Sequence, residues 1–136
     1  MIPFLIASVI ILPNPTLTPG DIDKTATVSK ICTSGYTKQV RDVTDSKKLQ
    51  VFNAYKIDPK SDRFEVDHLI SLELGGSNDV KNLWPQSYTT QPWNATVKDK
   101  LENKLHDLVC SGKIKLDDAQ KAIGKNWIDT YKLYFK

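Results

Sequence analysis

The sequence predicts an α+β domain in which one short strand hairpin feeds a long amphipathic helix, with further helices supplied by both ends of the chain. Three observations carry this expectation. Phe64, Val66, His68 and Ile70 alternate along one stretch as the residues of a strand face do. Gly75-Gly76-Ser77-Asn78 then marks a turn before the extended piece Asn82-Leu83-Trp84-Pro85. Val97, Leu101, Leu105, Leu108 and Val109 follow at helical spacing, and Gly112 can close that helix in a left-handed cap.

The chain has 136 residues, enough for one modest core. Residues 1–20 are set apart as an apolar segment and linker, and residues 21–136 as a single domain. Ile2 to Leu12 is an apolar run without charge, followed by Pro13-Asn14-Pro15. A membrane-spanning helix needs about 20 residues, so no stable span is expected. The run suits the apolar core of a signal peptide or a short anchor, although it lacks a basic start and a small-x-small cleavage site. Pro13 to Gly20, rich in Pro and Thr, reads as the linker. Cys32 and Cys110 are too far apart for a CxxC metal knuckle. In an exported protein they would pair as a disulfide, and in a cytosolic one they would be buried thiols. Together with the apolar run they favour export, periplasmic or secreted, over a cytoplasmic location.

Thr25 to Val43 reads as a short helix and then a strand, broken at Gly35. Asp45 to Tyr55 reads as a helix capped by Asp45 or Ser46, with Leu49, Phe52 and Tyr55 as its apolar stripe. Phe64 to Leu69 is the first hairpin strand, and Pro85 is expected to end the second. Pro92 suits the first turn of the long helix. A last helix is expected from about Asp117, with Asp117 as N-cap and Gln120 completing a capping box. Ala119, Ile123, Trp127 and Tyr131 lie four apart on its buried face, and Gly124 within it suggests a close approach.

The net charge is +3, and its excess lies upstream: residues 21–63 hold nine Lys or Arg against six acids, whereas the rest of the chain is balanced. On its own that is a solvated mixed-charge surface. The stretch Glu65-Val66-Asp67-His68 gives it a chemical context. Adjacent Asp and His at a strand end put a hard oxygen ligand beside a titratable base. Phosphodiester hydrolysis needs a water deprotonated near neutral pH, neutralised transition-state charge and a stabilised leaving oxygen. A neutral imidazole suits the first, and an oxygen-held divalent cation the other two. Asp67 and Asn94 supply such oxygens, a hard set favouring Mg²⁺ or Mn²⁺ over zinc.

Asp67-His68, Gly75-Gly76 and Asn82-Leu83 resemble the core of the HNH endonuclease family, also called ββα-metal or His-Me finger nucleases. The strings Leu72-Glu73-Leu74-Gly75-Gly76-Ser77, Asn82-Leu83-Trp84-Pro85-Gln86 and Lys98-Asp99-Lys100-Leu101-Glu102-Asn103 look similar to a subgroup of small bacterial and phage HNH-like proteins. The resemblance implies a ββα-metal hairpin plus helix. It further implies catalytic roles for His68 as general base, Asp67 as metal ligand and Asn82 as the residue that bonds across the loop and holds the His strand. No His stands at the third position; Asn94 takes it, with Asp99 as a fallback ligand. Lys98, one helical turn beyond Asn94, together with Arg63 and Arg41, is a candidate for phosphate contact. The implied activity is metal-dependent cleavage of DNA, with RNA as a second substrate. Two rivals stand beside it: a catalytically inactive nucleic-acid-binding ββα module, and an exported toxin-like effector.

Overall fold

Six helices and a two-stranded antiparallel sheet make up residues 10–136, which the computed structural model describes; the arrangement is α+β. The apolar run from Ile2 falls mostly outside these residues. Residues 13–20, expected as a linker, lie against the domain. Thr18 is buried, and its hydroxyl donates to the Leu83 carbonyl at 3.0 Å. Just before them, Ile11 accepts a 2.7 Å hydrogen bond from the Trp127 indole.

Two short helices come first, α1 (Val28–Ile31) and α2 (Tyr36–Val40). Gly35 does mark the break, at φ +86°. The second piece is a helix and not the expected strand, because Tyr36 and Val40 stand one helical turn apart and both pack on the core. Helix α3 (Asp45–Ala54) is capped by Thr44, whose hydroxyl accepts from Lys47 N–H, instead of by Asp45 or Ser46. It buries Val51 and Phe52, and Tyr55 packs against the core, while Leu49 points to solvent, so Val51 takes the place expected of Leu49 and the rest of the stripe holds.

The hairpin pairs β1 (Phe64–His68) with β2 (Leu83–Ser87). Pro85 does not end β2; it sits opposite Val66 in mid-strand. The ladder explains why. Leu69 N–H donates to Asn82 O at 2.8 Å, and Tyr88 N–H to Arg63 O at 2.9 Å. Hydrogen-bonded pairs alternate along an antiparallel ladder, so Pro85 falls at a position whose nitrogen faces away from the partner. Between the strands, Leu72–Leu74 and Val80–Asn82 form 3-10 turns, separated by Gly75 in the left-handed region.

Helix α4 (Ala95–Cys110) begins after its N-cap Asn94, three residues later than Pro92 suggested, and closes through Gly112 at φ +76°. The last expected helix is two, α5 (Leu116–Lys125) and α6 (Trp127–Tyr134). Asn126 adopts an extended conformation between them, and its side chain caps α6 by accepting from Asp129 N–H. Lys115, without a side-chain cap, precedes α5, so Asp117 lies in its first turn and not at its N-cap, no Asp117–Gln120 capping box forms, and the Gln120 amide donates instead to the Leu74 carbonyl at 2.8 Å. Leu101, Leu105 and Val109 of α4 meet Ile123, Trp127, Leu69, Leu74 and Trp84 in the main core. Gly124 packs its open side against Ile70, where an added Cβ would find ordinary contact at 3.4 Å. A disulfide joins Cys32, just after α1, to Cys110, at the end of α4. Among the described residues, no helix is long and apolar enough to cross a membrane.

Candidate active site

Strand alternation sets the site. Side chains two apart share a face, so Glu65 and Asp67 point together, towards α4. Helix α4 presents Asp99 to them, and the carboxylate oxygens of Glu65, Asp67 and Asp99 come within 4.8 Å of one another. A cavity of about 230 Å³ is lined by these three acids with Arg41, His68 and Glu102. Its companion, about 390 Å³, runs from Arg41, Glu65 and His68 out past Lys48, Phe52 and Tyr88. His68 and Arg41 therefore stand where an acidic hollow opens into a basic and partly aromatic one.

Burial, then the neighbouring Asp67 and Asp99 charges, push the Glu65 carboxyl up from its ordinary value. Asp99 is raised for the same reasons, burial first and Asp67 second. His68, only 5% exposed, is held below the usual imidazole value chiefly by burial. At neutral pH its ring is a neutral base.

Lys98 is fully buried one turn into α4, with its ammonium inside the fold. It donates hydrogen bonds to the His68 carbonyl at 2.9 Å and Glu102 Oε2 at 2.5 Å, and it forms an ion pair with Asp67 Oδ2 at 2.8 Å, an oxygen that has no hydrogen-bond partner. Burial alone would lower Lys98, but the Asp67 and Glu102 carboxylates outweigh it and hold the group above its usual value. Lys98 thus bolts the end of β1 to α4 and does not reach out for a phosphate.

Asn82, fully buried, uses its whole amide. Its oxygen accepts from Ile70 N–H at 3.0 Å and from Asp21 N–H at 3.3 Å, and its nitrogen donates to Ile70 O and Ser77 O, both at 2.9 Å. These bonds close the loop after His68. Gly76 lets the loop close: a Cβ there would lie 1.7 Å from the Ile70 carbonyl oxygen. Asn94 is the N-cap of α4, its oxygen accepting from Val97 N–H at 3.1 Å and its nitrogen donating to Thr90 O at 3.0 Å. It does not line the acidic cavity, and Asp99, the fallback, does. Arg63 is exposed just before β1 and lines neither hollow, whereas Arg41 lines both.

Sequence reasoning missed three residues. Glu65 was legible, being two before Asp67 in a strand. Glu102 was legible too, one helical turn after Lys98. Asn78 reads as a turn residue; its contact with His68, Nε2 to Oδ1 at 3.0 Å, spans a loop whose path no local pattern gives. Comparison of the chain with models of protein families, with curated proteins and with solved structures gave no match.

Proposed function

We propose that the protein is a metal-dependent endonuclease of the HNH, ββα-metal type that hydrolyses phosphodiester bonds in DNA, with RNA as a second substrate. The observation that carries this reading is the convergence of Glu65, Asp67 and Asp99 on one point of a cavity that also holds His68 and Arg41. The donor set is all carboxylate oxygen, the kind that Mg²⁺ or Mn²⁺ takes. The fit is electrostatic as well: Glu65 and Asp99 are both raised by burial and then by the Asp67 charge, a penalty that a bound cation relieves. Glu65, Asp67 and Asp99 would hold the ion, in place of the Asp67 and Asn94 pair expected from the sequence. Such an ion supplies charge neutralisation at the scissile phosphate and the leaving oxygen.

The remaining work falls to the chain. His68 takes the proton of the attacking water, a task for a neutral imidazole. Arg41, exposed at the junction of the two hollows, pairs with a phosphate oxygen and fixes the backbone for attack. Asn82 and Lys98 keep the His68 strand end fixed against loop and helix, which preserves the attack distance. The Cys32–Cys110 disulfide supports export to an oxidising compartment.

The test is plasmid nicking by the wild type and by His68→Ala, each with Mg²⁺ and with EDTA. Cleavage is expected from the wild type with Mg²⁺ alone and to fall at least about 100-fold in the variant. Undiminished cleavage by His68→Ala overturns the proposal. A second reading, a nucleic-acid-binding module without catalysis, is favoured by one observation: Lys98 already sits 2.8 Å from Asp67 Oδ2, so part of the acidic charge is met from within. Titration with Mn²⁺ separates the two, because a protein without a cation site shows no metal-linked rise in melting temperature.

A further inference from the structure

We infer that Asn78 is a positioning residue that fixes which nitrogen of His68 carries the ring proton and ties the ring to the segment bearing Arg41. This rests on the nuclease reading for its consequence, but its geometry stands alone. Asn78 Nδ2 lies 2.7 Å from the Val40 carbonyl oxygen, and Oδ1 lies 3.2 Å from the Asp42 backbone nitrogen. A carbonyl only accepts and a backbone N–H only donates, so these two main-chain groups dictate the orientation of the amide without reference to the histidine. His68 Nε2 is 3.0 Å from the same Oδ1. That oxygen has no hydrogen to give. In the neutral ring, Nε2 therefore carries the proton and Nδ1 keeps its lone pair.

Two things follow. Nδ1 is the nitrogen left to accept a proton from water, so the loop residue decides which edge of the ring is the base. Val40 and Asp42 also flank Arg41, so the same carboxamide holds the backbone on both sides of the residue assigned to the phosphate. Lys47 reinforces the tie, its ammonium donating to Asp42 O at 3.1 Å and to Asn78 O at 3.0 Å. One amide thereby sets the proton of the base and the station of the guanidinium that faces the substrate.

The experiment is long-range ¹H–¹⁵N correlation of the imidazole at a pH where the ring is neutral. The chain has two histidines, and His106→Gln removes the signals of the other. The wild type should show a pyrrole-like Nε2 and a pyridine-like Nδ1 at His68. Asn78→Ala should show both tautomers, with Mg²⁺-dependent nicking reduced roughly 10–100-fold. Asn78→Asp keeps an acceptor opposite Nε2 and should keep the wild-type tautomer, which a purely structural role would not require. A protonated Nδ1 in the wild type, or an unmixed Nε2–H tautomer in Asn78→Ala, overturns the inference; the wild-type measurement decides even where a variant fails to fold. The expected tautomers in a protein that nicks no DNA would uphold the positioning and sink the nuclease reading. Nicking by a wild type with the opposite tautomer would do the reverse.

Discussion

Asn82 shows most plainly how a single side chain sustains the site. All of its hydrogen-bonding capacity is used inside the protein, and three of its four bonds go to the Ile70 and Ser77 backbone on either side of the glycine turn. Asn82→Ala leaves those groups unpaired, and a buried polar group without a partner costs about 1–3 kcal/mol. A loss of at least that size is expected in urea denaturation, together with loss of nicking. Glu73 gives a prediction of the opposite sign. Burial raises its carboxyl above the usual range in the folded protein, with His106 opposing and Asp107 and Asp99 adding to the shift. The folded state then holds the proton to higher pH than the unfolded state. The group accordingly favours folding below its unfolded value, and this benefit is lost as pH rises through the carboxylate range. Glu73→Gln should therefore raise the denaturation midpoint at neutral pH and flatten its dependence on acid; an unchanged profile would count against the assignment. The adjacency of Asp67 and His68 at the end of β1 was legible because it is local. Asn94 was misleading because asparagine serves equally as a cation ligand and as a helix cap, and only the start of α4 decides which.

The elements of the site were readable where period and spacing speak and obscure where the chain crosses itself. The β1 alternation, the glycine turn and the α4 stripe follow from pattern. The interruption of the last helix at Asn126 does not, since Ala119, Ile123 and Trp127 keep a helical interval across it while the backbone leaves and re-enters the helix. The α2 segment was misread because five residues carry too little periodicity to separate helix from strand. The junction of β1 and α4 is the consequential one. Lys98, itself fully buried, joins them through Asp67, the His68 carbonyl and Glu102. Lys98→Met removes the cation and leaves the Asp67 and Glu102 carboxylates without it at the wall of the acidic cavity. Removing one partner of a buried ion pair typically costs about 3–5 kcal/mol, and a loss of that order is expected by chemical denaturation. Lys98→Met combined with Glu102→Gln should recover part of it. No recovery would mean that the lysine stem, and not its charge, matters.

At the scale of the whole molecule, the covalent and the chemical ends are separate. The disulfide anchors the segment after α1 to the far end of α4, closing a sequence separation of 78 residues, while Asp99 lies in the first turns of the same helix. A disulfide typically contributes about 2–4 kcal/mol. Cys32→Ser with Cys110→Ser should lower the melting temperature accordingly, and whatever fraction stays folded should nick DNA at the wild-type rate per molecule. A selective loss of turnover would instead link the bridge to the site. Lys98 has one more implication for the protein as a whole. Its ammonium offsets the nearby acids from inside, so the polypeptide can reach its final shape in a medium stripped of divalent ions. On the nuclease reading, maturation and arming then become separate events: the ion content of the place where the protein ends up, not the act of folding, would decide when it starts to cut.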